Sequence, residues 1–285
     1  MMLTLENVGL AIGSGPDAKT LLDDINLQVG PGESLGLVGE SGSGKSMTLR
    51  SILRTLPEGS TSTGTVRYRD KDIAALSRED LRRFRAAEVS MISQNPMAAL
   101  NPVLRVERFL IEGIQAARPR TSTAEARKTA LSLLADVGIH DPERCLRSYP
   151  HQLSGGMLQR VVIAGSVARG SSLLLADEPT TALDVTTQSD VVAILNEART
   201  DAGMAMIFVT HDLDLAAAAC QRIAVMKKGR IVEAGPAQTV LGSPQHEYTQ
   251  MLVASKPSLT HRASATAPVS GSASVSGSAS GEETE

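Results

Sequence analysis

The 285-residue sequence is 42% hydrophobic and 21% charged, an ordinary balance for a chain that folds around its own core without disulfide or metal staples. A net charge of −3, 2% aromatic residues and no Trp argue against a nucleic-acid partner, which calls for a basic footprint and stacking platforms. Neither Cys145 nor Cys220 lies in a CxxC or Cys/His cluster, so a zinc or iron–sulfur site has almost no support and two buried, reduced thiols are expected.

The opening MMLTLENVGL has no positive segment ahead of an apolar run and reads as no signal peptide. No stretch approaches the ~20 apolar residues that a spanning helix requires, so any membrane role is expected through a partner. The apolar runs 25–29 and 34–38 read as strands. Directly after the second comes Gly39-Glu40-Ser41-Gly42-Ser43-Gly44-Lys45-Ser46, a full match to GxxxxGK[ST]. Its glycines let the backbone wrap around phosphates with N–H groups turned inward, and the helix expected over 44–55 adds its positive N-terminal end. Lys45 is then the group for the β- and γ-phosphates, and the Ser46 hydroxyl is a ligand for Mg²⁺.

Residues 88–93 (EVSMIS) read as the next strand. From Asn95 to Arg169 the pattern changes to helix after helix, with amphipathic periodicity over 126–139, and this block reads as a helical lobe inserted into an α/β core. The runs 173–176, 205–210 and 222–226 supply further strands, giving a sheet with substantial parallel content. In such sheets ligands sit beyond the carboxyl ends of the strands, where these motifs lie. The run LLLA delivers Asp177 and Glu178: the first is placed to hold Mg²⁺ through its water shell, the second to polarise an attacking water. A phosphate loop alone leaves kinases, GTPases and ATPases open, and the Asp-Glu pair narrows the choice. The final stretch, 257–285, is rich in Ala, Ser and Gly and reads as a disordered tail behind a domain spanning 1–256.

Leu153-Ser154-Gly155-Gly156-Met157, followed by Gln159-Arg160, resembles the LSGGQ signature of ABC ATPases. The other elements of that family stand in its order: Gln94 at the Q-loop, Ala182-Leu183-Asp184 at the D-loop, and His211 at the switch position after a strand. The resemblance covers about residues 3–256. It implies a P-loop α/β fold with an inserted signature lobe, and ATP hydrolysis by two domains paired head to tail. Ser154 and the Gly155 and Gly156 amides would then contact the γ-phosphate held by the partner's phosphate loop. Glu178 would be the catalytic base, His211 would hold the γ-phosphate, Gln94 would touch Mg²⁺ or the water, and Asp184 would couple the two sites. The family's adenine-stacking aromatic has Ile12 as its positional counterpart, which offers apolar contact without stacking.

Two further segments resemble the oligopeptide/dipeptide/nickel importer branch of the family: Gln94–Pro102 matches QxPxxxLNP, and Ser243–Leu252 matches SPxHxYTxxL. That branch implies an ATPase on the cytoplasmic face of the cell (inner) membrane. Its partners would be two transmembrane permeases, an extracytoplasmic binding protein and a second ATPase, a paralogue or a copy of this chain. Members with a C-terminal cysteine cluster carry an iron–sulfur centre; this chain has none there, and no cluster is expected. An exporter subunit, or a soluble ABC ATPase acting on ribosomes or DNA, is the alternative reading.

Overall fold

The computed structural model describes residues 1–13, 15, 18–181 and 185–255. The first part of the chain contains β1 (Leu3–Ile12), β2 (Lys19–Val29), β3 (Ser34–Val38), α1 (Lys45–Leu53), β4 (Ser60–Tyr68), β5 (Lys71–Asp72), α2 (Arg78–Arg83) and β6 (Val89–Ile92). The helical block follows as α3 (Pro96–Ala99), α4 (Val106–Ala117), α5 (Thr123–Asp136), α6 (Pro142–Arg147) and α7 (Gly155–Ala168). The chain then returns through β7 (Leu173–Asp177), α8 (Val185–Asp201), β8 (Ala205–Thr210), α9 (Leu213–Ala219), β9 (Arg222–Lys227), β10 (Arg230–Pro236), α10 (Ala237–Gly242) and α11 (Glu247–Ala254). Met1–Ala254 make up one unit, and the expected tail, 257–285, lies outside the described residues.

The strands read from the sequence at 34–38, 88–93, 173–176, 205–210 and 222–226 all form, to within a residue or two at either end. They lie side by side in one sheet in the order β10-β9-β3-β8-β7-β6, parallel throughout except for β10 against β9. A parallel strand covered on both faces has to be apolar on both, and for that reason β7 reads LLLA with no alternation. Leu173 and Leu175 join the core beneath the N-terminal strands, while Leu174 and Ala176 join the core shared with the helical lobe.

The second sheet, in the order β2-β1-β4-β5, is antiparallel, and its strands at 3–12 and 60–68 have no counterpart in the sequence reading. β1 hides its period of two. Leu3 and Leu5 point inward, then a bulge at Glu6–Val8 shifts the phase so that Val8 and Leu10 do. Asn7 sits at that bulge with a φ of 50°, its backbone N–H donating to the Asn26 side chain and its amide to Asp24. β4, STSTGTVRY, is mostly exposed and offers little apolar signal.

In the lobe, α5 begins three residues earlier than the periodicity indicates. Ser122 and Glu125 form a reciprocal cap there, Ser122 Oγ accepting from the Glu125 N–H and Glu125 accepting from the Ser122 N–H. It also stops earlier, because Gly138 takes a left-handed φ of 77° and ends the helix. α7 packs against α4, α5 and β6, which ties the lobe to the sheet.

Candidate functional site

Four adjacent parallel strands end on one edge of the sheet, and their registers align those ends. Val38 at the end of β3 pairs with Thr210 of β8, Asp177 at the end of β7 pairs with Val209, and Ile92 at the end of β6 pairs with Ala176. The residues that follow (the 39–46 loop, Gln94, Glu178 and His211) therefore emerge as neighbours although they come from four separate parts of the sequence.

The 39–46 loop is held close to the turn after β9. A side chain on Gly39 would overlap the Met226 carbonyl oxygen and come within 2.8 Å of Ser43 Oγ, so only glycine lets the loop leave β3 at this angle. Gly44, with a φ of 110°, turns the chain into α1 beside Leu22. Ser43 N–H donates to the Glu40 carbonyl, and the Gly229 N–H donates to the Ser43 carbonyl at 2.8 Å. Gly39→Ala is expected to cost about 1–3 kcal/mol through overpacking against backbone that cannot yield. Thermal unfolding together with an MgATP titration checks it; unchanged stability and affinity would contradict the close approach.

Lys45 is buried to 4% exposure, and its Nζ donates to the Gly39 carbonyl at 2.7 Å and the Glu40 carbonyl at 2.9 Å. Burial pushes its pKa down, while the nearby Glu178 and Asp177 carboxylates oppose that shift. Ser46 Oγ donates to Asp177 Oδ1 at 2.9 Å. Burial pushes the Asp177 carboxyl up, against the Ser46 hydrogen bond and the charge of Lys45. Ser46 and Asp177 thus form a pair of hard oxygen donors beside the phosphate loop. That fits Mg²⁺, which takes one or two protein oxygens and leaves its other positions to water and phosphate.

Glu178 is the hub. Its Oε2 accepts from Gln94 Nε2 at 3.1 Å and from Thr181 Oγ1 at 2.9 Å, and lies 3.8 Å from His211 Nδ1. Its Oε1 lies 3.9 Å from Lys45 Nζ. The backbone is strained at this point, with φ at 47°, and is held by the Glu178 N–H donating to the Val209 carbonyl. His211 is 65% exposed at the rim. With Gln94 Nε2 engaged by Glu178, the amide oxygen of Gln94 is left as an acceptor.

Ser154 caps α7, its Oγ accepting from the Met157 N–H at 3.3 Å, and a side chain at Gly155 would meet nothing within 4 Å. An exposed helix N-terminus with open space before it is suited to an anion brought from outside. Gly156 occupies the second position of the same helix. Ile12 ends β1, paired with Lys19 and Ser60, two residues beyond Leu10, whose partner Leu22 borders Gly44. Asp184 lies outside the described residues. Cys145 and Cys220 are both buried and free. Thr181, three residues after Glu178, went unread in the sequence; a hydroxyl one turn beyond a candidate base is a weak signal that only its contact makes specific.

Comparison with known proteins gives the same arrangement a family context. The model of the ABC transporter family matches residues 22–181. The chain is 43% identical over 258 residues to a protein of Agrobacterium fabrum named a peptidoglycan transport ATP-binding protein, YejF, covering 90% of this chain and 47% of that one. It is 44% identical over 245 residues to a Brucella melitensis protein provisionally named for peptide import ATP binding, covering 84% of this chain and 72% of that one. Thus the chain spans less than half the length of the first of these relatives and nearly three quarters of the second. Among solved structures it is similar to the dimeric ATP-binding cassette MJ0796 bound to ADP and Pi, with a TM-score of 0.73 and 29% identity over 83% of this chain and 99% of that one.

Proposed function

Because this chain belongs to the ABC transporter family and is an ATPase of the cassette type, we propose that it is the motor of a peptide-type importer. The observation that carries the reading is the convergence of Lys45, Ser46, Gln94, Asp177, Glu178 and His211 at one sheet edge. In this reading the 39–46 amides and the start of α1 take the triphosphate, and Lys45 supports its β- and γ-phosphates. Ser46 and Asp177, with the Gln94 amide oxygen, hold Mg²⁺, which when bound neutralises charge on the phosphate oxygens. Glu178 accepts the proton of the attacking water, fixed for that task by Thr181 and Gln94. His211 steadies the γ-phosphate from the rim, and Ile12 provides apolar contact for the base.

A second cassette supplies Ser154, Gly155 and Gly156 to the opposite face of the nucleotide, and Asp184 links the two sites. The cassette domain spans 1–256 with its lobe at about 95–169, and 257–285 is an appended tail. The permeases dock on the lobe beside the Gln94–Pro102 segment. Supporting this, Met97 is 38% exposed in that segment, and Val103, just beyond it and 74% exposed, lines a 630 Å³ groove with Ile111 and Tyr149. Among the described residues no helix is long and apolar enough to cross a membrane, which agrees with a peripheral subunit on the cytoplasmic face. The names of the relatives favour a cargo with peptide bonds, a short peptide or a peptidoglycan fragment, over nickel, delivered by an extracytoplasmic binding protein.

Purification from membranes with a tag on this chain is expected to bring down two hydrophobic permease chains and a second cassette. Recovery of ribosomes or DNA in their place would overturn the importer reading in favour of a soluble ABC ATPase.

A further inference from the structure

The SPxHxYT segment near the end of the described chain has no part in the chemistry above, yet its tyrosine reaches the phosphate loop. Tyr248, on α11, is 3% exposed, and its Oη accepts from the Glu40 backbone N–H at 3.2 Å across 208 positions of sequence. Lys227, at the end of β9, holds its ammonium 4.5 Å from the centre of the Tyr248 ring. Burial pushes the phenol up, so at neutral pH it meets the Glu40 amide as a neutral acceptor.

The rest of the segment fixes where α11 begins. Glu233 on β10 accepts from the Gln245 N–H at 2.9 Å and from the His246 N–H at 3.0 Å. His246 Nδ1 in turn accepts from the Tyr248 N–H at 3.0 Å. The Gln250 amide donates back to the Pro244 carbonyl at 3.0 Å, closing the turn. Each of these bonds restricts the position from which the tyrosine projects. Besides the Ser46 side chain on Asp177, the main chain of the 39–46 loop is tied to groups outside it at Ser43, by Gly229 in the β9–β10 turn, and at Glu40, by Tyr248.

We propose that Tyr248 is a positioning residue for nucleotide binding: the C-terminal segment clips the Glu40 end of the phosphate loop and holds its amides in the arrangement that receives a triphosphate. The reason is entropic. A loop of glycines and serines has many backbone conformations, and a nucleotide must select one of them, so every tether that removes alternatives beforehand raises affinity without touching the ligand. This inference rests on the reading of 39–46 as the ATP site.

Tyr248→Phe tests it, since the ring stays in the core and under Lys227 while the acceptor oxygen is lost. MgATP is titrated calorimetrically into the unaltered chain, Tyr248→Phe and Lys45→Ala, with steady-state kinetics, thermal unfolding and amide hydrogen exchange alongside. The expected result for Tyr248→Phe is a Kd and KM for MgATP raised about three- to tenfold, the size of one neutral hydrogen bond. The accompanying kcat stays within about twofold, and exchange at Glu40 quickens. Unchanged Kd and KM overturn the proposal, and so does a fall in Tm with affinity unaltered, which would make the tyrosine a core residue only. Should the unaltered chain bind MgATP no better than Lys45→Ala, the ATP-site reading itself fails, a different outcome from an unaltered chain that binds well and a Tyr248→Phe variant that matches it.

Discussion

Glu178→Gln is expected to lower ATP turnover by about 10²- to 10⁴-fold, the usual contribution of a positioned general base, while MgATP still binds. The substitution keeps the shape of the side chain and can keep its contacts, because an amide oxygen still accepts from Gln94 and Thr181. What it loses is the capacity to take a proton and the negative charge 3.9 Å from Lys45 Nζ. A carboxylate beside a triphosphate repels it, so removing that charge should leave affinity unchanged or raised, and nucleotide-bound pairs of cassettes should accumulate. Single-turnover hydrolysis measures the first effect, and size-exclusion chromatography with MgATP the second. Turnover close to that of the unaltered chain would remove Glu178 from the role of base.

Lys45→Ala should act at an earlier stage, weakening MgATP binding about 10- to 100-fold, as expected for loss of a charge-assisted contact to phosphate. Lys45 is almost fully buried and its ammonium is desolvated, so the fold gives up little when the charge goes. The Gly39 and Glu40 carbonyls lose their donor, whereas the cost of burying an ammonium disappears. Thermal stability should therefore move much less than affinity, the reverse of Gly39→Ala, in which the backbone itself is displaced. Titration of MgATP with a parallel unfolding curve separates the two. Affinity equal to that of the unaltered chain would refute a phosphate role for Lys45.

These expectations draw unequally on sequence and structure. Lys45, Ser46, Asp177 and Glu178 were legible because each stands at a fixed offset from an apolar strand, and strand, turn and helix there are set by neighbouring residues. Ser154 was legible only through the resemblance of Leu153–Met157 to the LSGGQ signature; that it caps α7 came from the structure. β1 was lost because its bulge at Asn7 breaks the alternation that marks a strand, and β4 because it is exposed and rich in Ser and Thr. Thr181 gave only a weak signal, and Tyr248 was read within the SPxHxYTxxL match without a role, since a hydroxyl is polar in any context and only its partner gives it one.

The sequence by itself determined several elements and their chemistry: a phosphate-type loop between strand and helix, an acidic pair at a strand end, a helical insertion and, by resemblance, the signature segment Leu153–Met157. All depend on residues within a few positions of one another. The tertiary structure alone decided that Gln94, Thr181 and His211 gather on the Glu178 carboxylate, and that Tyr248 meets Glu40. The apolar strands β3, β6, β7 and β8 could each accept any of the others as a neighbour through main-chain hydrogen bonds. Which one lies beside which, and in what register, is settled by packing on both faces of the sheet, where side chains distant in sequence must fill one volume together.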